Sequence, residues 1–211
     1  MIDQAVPLDG IARPLLTLIL SSVIIMGSPG PSTISATAVG AAYGFRRSLR
    51  YVWGLILGAI AVLCVVAMGV VAILLSVRWA ASALTIISAV YILYLALKIG
   101  AAPPLAGQSP DRPAPAFAGG FLLGIANPKA YLAMAAVFAG STLFPDHARD
   151  AVSKTAVLSV MIVIIHLGWL SAGAWLSQML HDPMRSRIVN VALAAGLVVI
   201  AGLALMRPLG H

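Results

Sequence analysis

The chain has 211 residues, of which 61% are hydrophobic and only 9% charged, and its mean hydropathy is +1.03. A soluble domain carries roughly a quarter charged residues, so this composition excludes a soluble enzyme or binding module and predicts a polytopic protein of the lipid bilayer. The net charge of +7 comes from basic residues lying mainly in short loops, where they set membrane orientation, and no basic cluster interleaved with aromatics offers a nucleic-acid face.

Residues 1–12 read as a polar tail. Asp3 and Asp9 make the start acidic, and the apolar stretch runs past any plausible cleavage site, so the first span is expected to be retained rather than removed as a signal peptide. Span 1 is expected from about Arg13 to Tyr43. It is uncharged from Pro14 through Phe45, too long for one helix that needs only about 20 residues to cross. Gly27-Ser28-Pro29-Gly30-Pro31-Ser32-Thr33 interrupts it near the middle. Proline lacks a backbone donor and clashes with the preceding turn. Backbone groups freed at that depth are tolerated only against protein or a water-lined cavity.

Arg46, Arg47 and Arg50 read as a basic loop, with Tyr51 and Trp53 suited to an interfacial belt. Span 2 is expected over 52–77, Arg78-Trp79 marking its far end, and span 3 over 80–98. Residues 101–116 contain five prolines and form a linker. Span 4 is expected over 117–144, broken at Asn127-Pro128. A loop with Asp146, His147, Arg149, Asp150 and Lys154 follows, then span 5 over 155–179. A loop with His181, Asp182, Arg185 and Arg187 leads to span 6 over 188–206.

The predicted fold class is therefore an all-α integral membrane protein with six transmembrane helices. They form two inverted three-helix repeats, 1–100 and 117–211, joined by the linker 101–116, with helices 1 and 4 broken. An odd number of spans per half inverts the second half. Pro29 lies 15 residues after Pro14, and Pro128 lies 15 residues after Pro113. Interrupted apolar segments at matching positions are the sequence pointer to a transporter's binding site. Seven basic residues in loops 1–2, 3–4 and 5–6 against five on the other side place both termini outside the cytoplasm.

There is no glutamate, and all six aspartates are expected in tails or loops, which leaves no intramembrane carboxylate for a proton relay or a cation cage. Cys64 stands alone and gives neither a disulfide nor a metal spacing. No metal site and no cofactor are expected. Lys129 is the charge nearest the middle of a span. Either it faces a cavity near a substrate, or it caps the half-helix before the break or snorkels to an interface. The half-helix N-termini after Pro31 and Pro128 offer free N–H groups to a carboxylate. Ser28, Ser32, Thr33 and Asn127 either add hydrogen bonds there or satisfy their own helix backbone. The candidate substrate site is thus Ser28, Pro29, Gly30, Pro31, Ser32, Thr33, Asn127, Pro128 and Lys129. His166, inside span 5, is either a proton carrier or a neutral imidazole bonded to a neighbouring helix. Tyr91, Tyr94, Tyr131 and Trp169 are candidates to line a cavity or to pack. Gly54/Gly58 and Gly120/Gly124 match the small-xxx-small pattern, which in a six-span protein packs the monomer more often than it makes a homo-oligomer.

Ser28-Pro29-Gly30-Pro31, then Gly44-Phe45-Arg46-Arg47-Ser48-Leu49 and Gly54/Gly58, resemble the lysine exporter (LysE/RhtB-type) family. Ala89 through Lys98 looks like that family's third span, and Phe121 through Asn127-Pro128-Lys129-Ala130 like its second signature. Family members often carry an acidic or other polar residue after the second-span glycines, where this chain has Ala59. The resemblance implies export of amino acids or related small metabolites across the bacterial inner membrane, coupled to an ion gradient. Inorganic-ion efflux is an alternative that the missing intramembrane carboxylates argue against. A membrane enzyme is another, for which no nucleophile–base pair or metal cluster is evident.

Overall fold

In a computed structural model, which describes residues 8–69, 78–101, 115–179 and 183–206, helices follow one another without a strand among the described residues. We label them α1 Leu8–Ser21, α2 Pro31–Tyr43, α3 Phe45–Ala67, α4 Arg78–Gly100, α5 Phe117–Ala126, α6 Pro128–Ala139, α7 His147–Met179 and α8 Pro183–Met206. A wider π turn, Ser22–Met26, continues α1 toward the first break. Most of the proline-rich linker, the expected end of span 2, and His181 and Asp182 lie outside the described residues.

Both breaks are real bends. The axis turns by 68° between Ile11–Met26 and Pro31–Tyr43, and by 60° between Phe117–Ala126 and Pro128–Ala139. Phe45–Ala67 and His147–Leu176 are each long and apolar enough to cross a bilayer, and among the described residues the two bent pairs raise the number of candidate spans from two to up to four. Ala89–Gly100 and Arg187–Leu203 are shorter apolar helices.

Local chemistry explains the starts and stops. Pro31 and Pro128 each sit in the first turn of the helix they open, where the missing N–H costs no bond. Asp146 Oδ1 accepts from Arg149 N–H at 2.8 Å, an N-cap that starts α7 at His147. Arg149, Asp150 and Lys154, expected in a loop, are therefore helical. Asp150 is also buried, correcting the expectation that every acid sits in a tail or loop. Its carboxylate pairs with Lys154 Nζ at 2.7 Å and accepts from Leu143 N–H at 2.6 Å and Phe144 N–H at 3.1 Å. Lys154 Nζ also donates to Phe138 O at 2.9 Å, so this pair clasps the end of α6 to the start of α7. Gly44, at φ 76°, turns the chain so sharply that α3 begins at Phe45, and the three expected loop arginines ride its first turns. Helix α1 begins at Leu8, inside the expected polar tail.

The apolar residues face both ways. Ile24, Leu97, Val160, Ile164 and Val199 are exposed on the outside, as a lipid-facing surface requires. At the centre, α2 is buried at every position but Ile34. The main packing runs between the two halves: α3 lies along α5, α2 along α7 and α4 along α8. Glycines permit the closest of these approaches. A Cβ on Gly58 would lie 2.6 Å from Phe121 O, and one on Gly124 would lie 2.8 Å from Leu55 O and 3.0 Å from the Gly58 Cα. Gly54 and Gly120 face Phe117 O and Tyr51 O in the same way. The two small-xxx-small stripes thus meet each other inside the monomer.

Candidate functional site at the two helix breaks

Removing the Pro29 and Pro31 donors from a helix orphans the carbonyls four residues earlier, those of Ile25 and Gly27. Both find substitutes. Ser28 Oγ donates to Ile25 O at 2.8 Å, and the indole Nε1 of Trp169, on α7, donates to Gly27 O at 3.0 Å. The next two carbonyls are taken from across the molecule. Lys129 Nζ donates to Ser28 O at 2.6 Å, Ser28 Oγ at 2.8 Å and Pro29 O at 3.1 Å. An ammonium has three donors, and each has a named acceptor. Lys129 therefore ties down the half-helix of the other break, not its own.

A second bond joins the breaks. Asn127 Nδ2 donates to Ser32 Oγ at 2.8 Å while its Oδ1 accepts from Lys129 N–H at 3.1 Å, capping α6. At the head of α2, Thr33 Oγ1 accepts from Gly30 N–H at 2.9 Å. No side chain caps the first N–H groups of α2 itself. Thr37 Oγ1 donates to its own helix at Thr33 O, 3.0 Å, and approaches Trp169 O at 3.2 Å.

Between the breaks lies a cavity of about 40 Å³. Gly30, Ser32, Thr33, Asn127, Lys129 and His166 supply its polar wall, and Met26, Ala59, Ala130, Ala133, Met134, Ile162 and Ile165 the rest. A water needs about 10–15 Å³ on this measure, so the space suits about three waters, and a larger solute requires the helices to part. Of the ten residues singled out from sequence, six line this cavity, whereas Ser28, Pro29, Pro31 and Pro128 stand behind it as backbone and acceptors.

His166 is 7% exposed. Its Nδ1 lies 2.8 Å from Ile162 O on its own helix, not on a neighbour as one sequence expectation had it. A carbonyl only accepts, so Nδ1 carries a proton, and in the neutral form of the ring Nε2 is the lone pair. Nε2 is buried without a hydrogen-bond partner, on a residue that lines the cavity. Tyr91, Tyr94 and Tyr131 do not reach the cavity wall. Tyr91 packs against Gly119, Tyr94 is exposed, and Tyr131 belongs to the hydrophobic core. Ala59 is a wall residue that sequence reasoning noted only as a departure; its place after Gly58 on the tightly packed α3–α5 seam is the signal that could have found it. Among the described residues no three of His, Cys, Asp and Glu converge on a point that could hold a metal ion.

The chain is 26% identical over 176 residues to a protein of Vibrio cholerae serotype O1 described as an uncharacterized membrane protein, covering 80% of this chain and 84% of that one. No solved structure matches it. The profile of the LysE type translocator family matches residues 23–207, from the π turn before the first break through the end of α8. With two broken apolar helices stitched together at a buried polar cavity, the chain belongs to the LysE type translocator family and is a membrane transporter.

Proposed function

We propose that this transporter exports amino acids or related small metabolites across the bacterial inner membrane, by ion-coupled alternating access about the two breaks. In this reading six spans form two inverted three-helix repeats, the shorter apolar helices in α4 and α8 completing the bundle. The lengthwise packing of α3 on α7 and of α4 on α8, each helix against its counterpart in the other half, supports a two-fold arrangement.

The observation that carries the proposal is the meeting of both breaks at one cavity, with a cation and a helix N-terminus on its wall. Lys129 and the uncapped N–H groups of α2 supply positive potential for a carboxylate. Met26, Ala130, Ala133, Met134 and Ile162 give an apolar surface for a small side chain. His166 Nε2 is the proton acceptor on the same wall.

The test is amino-acid export from reconstituted vesicles. Lys129→Met is expected to abolish it while membrane insertion and folding persist. Unchanged export by Lys129→Met rejects the assignment of Lys129.

A further inference from the structure

The three acceptors around Lys129 Nζ all belong to Ser28 and Pro29, and none carries a formal charge. They lie beyond the C-terminal end of the first half-helix, where the helix dipole is negative. The cation is thus held by two carbonyls and a hydroxyl. The lysine stem lies directly over Gly30, where a Cβ would come within 2.7 Å of Cδ and 2.9 Å of Nζ. A side chain at 30 would push the lysine stem aside from this path. Gly30 and Lys129 both line the cavity, so the ammonium group and its cradle adjoin the space a substrate would enter.

We propose that the Ser28–Pro29 cradle is the receiving site for the primary ammonium of a zwitterionic substrate, and that Lys129 fills it until the substrate arrives. The inference rests on the reading of the protein as an amino-acid transporter. On loading, the substrate's ammonium takes the three acceptors and the released Lys129 ammonium meets the substrate's carboxylate. Every polar group keeps a partner, and the net charge of the site stays the same before and after. That matters inside a bilayer, where an added charge is costly. The exchange also selects for the whole zwitterion. A carboxylate without an amine would draw Lys129 away and leave buried carbonyls unpaired. An amine without a carboxylate would set two ammonium groups on one cradle.

Two arms test this in the full-length protein. In the first, Lys129→Ala in lipid nanodiscs removes the tethered ammonium and keeps the carbonyls. n-Propylammonium chloride is expected to raise the melting temperature of Lys129→Ala by several degrees and to leave the wild type unmoved. Sodium chloride at equal ionic strength is expected to affect neither. No response in Lys129→Ala, or an equal response to sodium, overturns the proposal; Lys129→Ser stands in if Lys129→Ala does not fold. In the second arm, Ser28→Ala removes one cradle acceptor from vesicles loaded with the L-amino acid that the wild type exports best, or with its desamino carboxylate. The half-saturating concentration should stay nearly unchanged for the amino acid, whose ammonium replaces Lys129 on the same weakened cradle, and fall about tenfold for the carboxylate, which must draw Lys129 off a cradle that holds it by one bond fewer. An equal shift for both overturns the proposal. Wild-type vesicles that export no amino acid refute the functional reading instead, and the n-propylammonium arm then decides whether the cradle takes a primary ammonium.

Discussion

Replacing Trp169 with Phe tests the account of the first break most directly. Trp169→Phe keeps an aromatic ring on α7 and removes the indole N–H that serves Gly27 O at 3.0 Å, together with part of the ring's packing against the core. Pro31 has no N–H to offer in its place, and the bonded pair is partly buried. An orphaned buried acceptor costs about 1–3 kcal/mol, so the folded-to-unfolded ratio should fall between about fivefold and about 150-fold. The assay is reversible unfolding in mixed micelles, with Trp175→Phe as the control. Trp175 lies on the same helix and is 61% exposed, so its replacement should change stability by less than about 0.5 kcal/mol. If Trp169→Phe and Trp175→Phe unfold at the same denaturant concentration, the indole does not compensate for Pro31, and the hydrogen-bond bookkeeping at the break is wrong.

Three further outcomes follow from the geometry. Gly120→Val should destabilise the monomer by about 1–3 kcal/mol or more through collision with Tyr51 O, whereas Gly196→Val, which meets nothing within 4 Å, should be neutral; thermal unfolding in nanodiscs separates the two. Asp150→Asn should cost about 3–5 kcal/mol, because it leaves the Lys154 ammonium without its anion in a pair whose side chains are only 7% and 11% exposed; Asp150→Asn combined with Lys154→Met should recover part of that loss in the same unfolding assay. His166→Gln should leave insertion intact and flatten the pH profile of vesicle export, and an unaltered profile would remove His166 from the coupling.

Much of this was legible because proline and glycine act locally. Pro29, Pro31 and Pro128 dictate where helices must bend whatever surrounds them, so both breaks, and the six cavity-lining residues beside them or on the fifth span, could be named from the chain alone. Helix ends were less legible. Hydropathy marks the apolar stretch, and a helix can extend beyond it when a local signal permits. Gly44 and the Asp146 cap do this for α3 and α7, which carry Arg46, Arg47, Arg50, Asp150 and Lys154 onto helices. Partnerships across the molecule were the least legible. Trp169 was visible as an aromatic on the fifth span, but its role depends on Gly27 lying opposite, 142 positions away. Nothing in spacing alone assigns Lys129 to the far half-helix rather than its own.

The two breaks match in position but differ in chemistry, and the difference is what joins them. The first, with two prolines, loses donors and presents the carbonyls of Gly27, Ser28 and Pro29. The second, with one proline, presents donors: the amide of Asn127 and the ammonium of Lys129. Acceptors on one side and donors on the other hold the cavity near 40 Å³. Parting the breaks means giving up the bonds of Lys129 and Asn127 across the seam, roughly 5–6 kcal/mol if the Asn127 bond is worth about 1 and each of the three bonds to the Lys129 ammonium about 1.5. That is close to the ~5.5 kcal/mol by which a ligand must prefer one state to carry a two-state protein from one form to the other. A substrate that re-satisfies the same carbonyls and the same ammonium can supply a difference of this size. One that offers a single complementary group cannot, so recognition of the substrate and release of the seam are the same event.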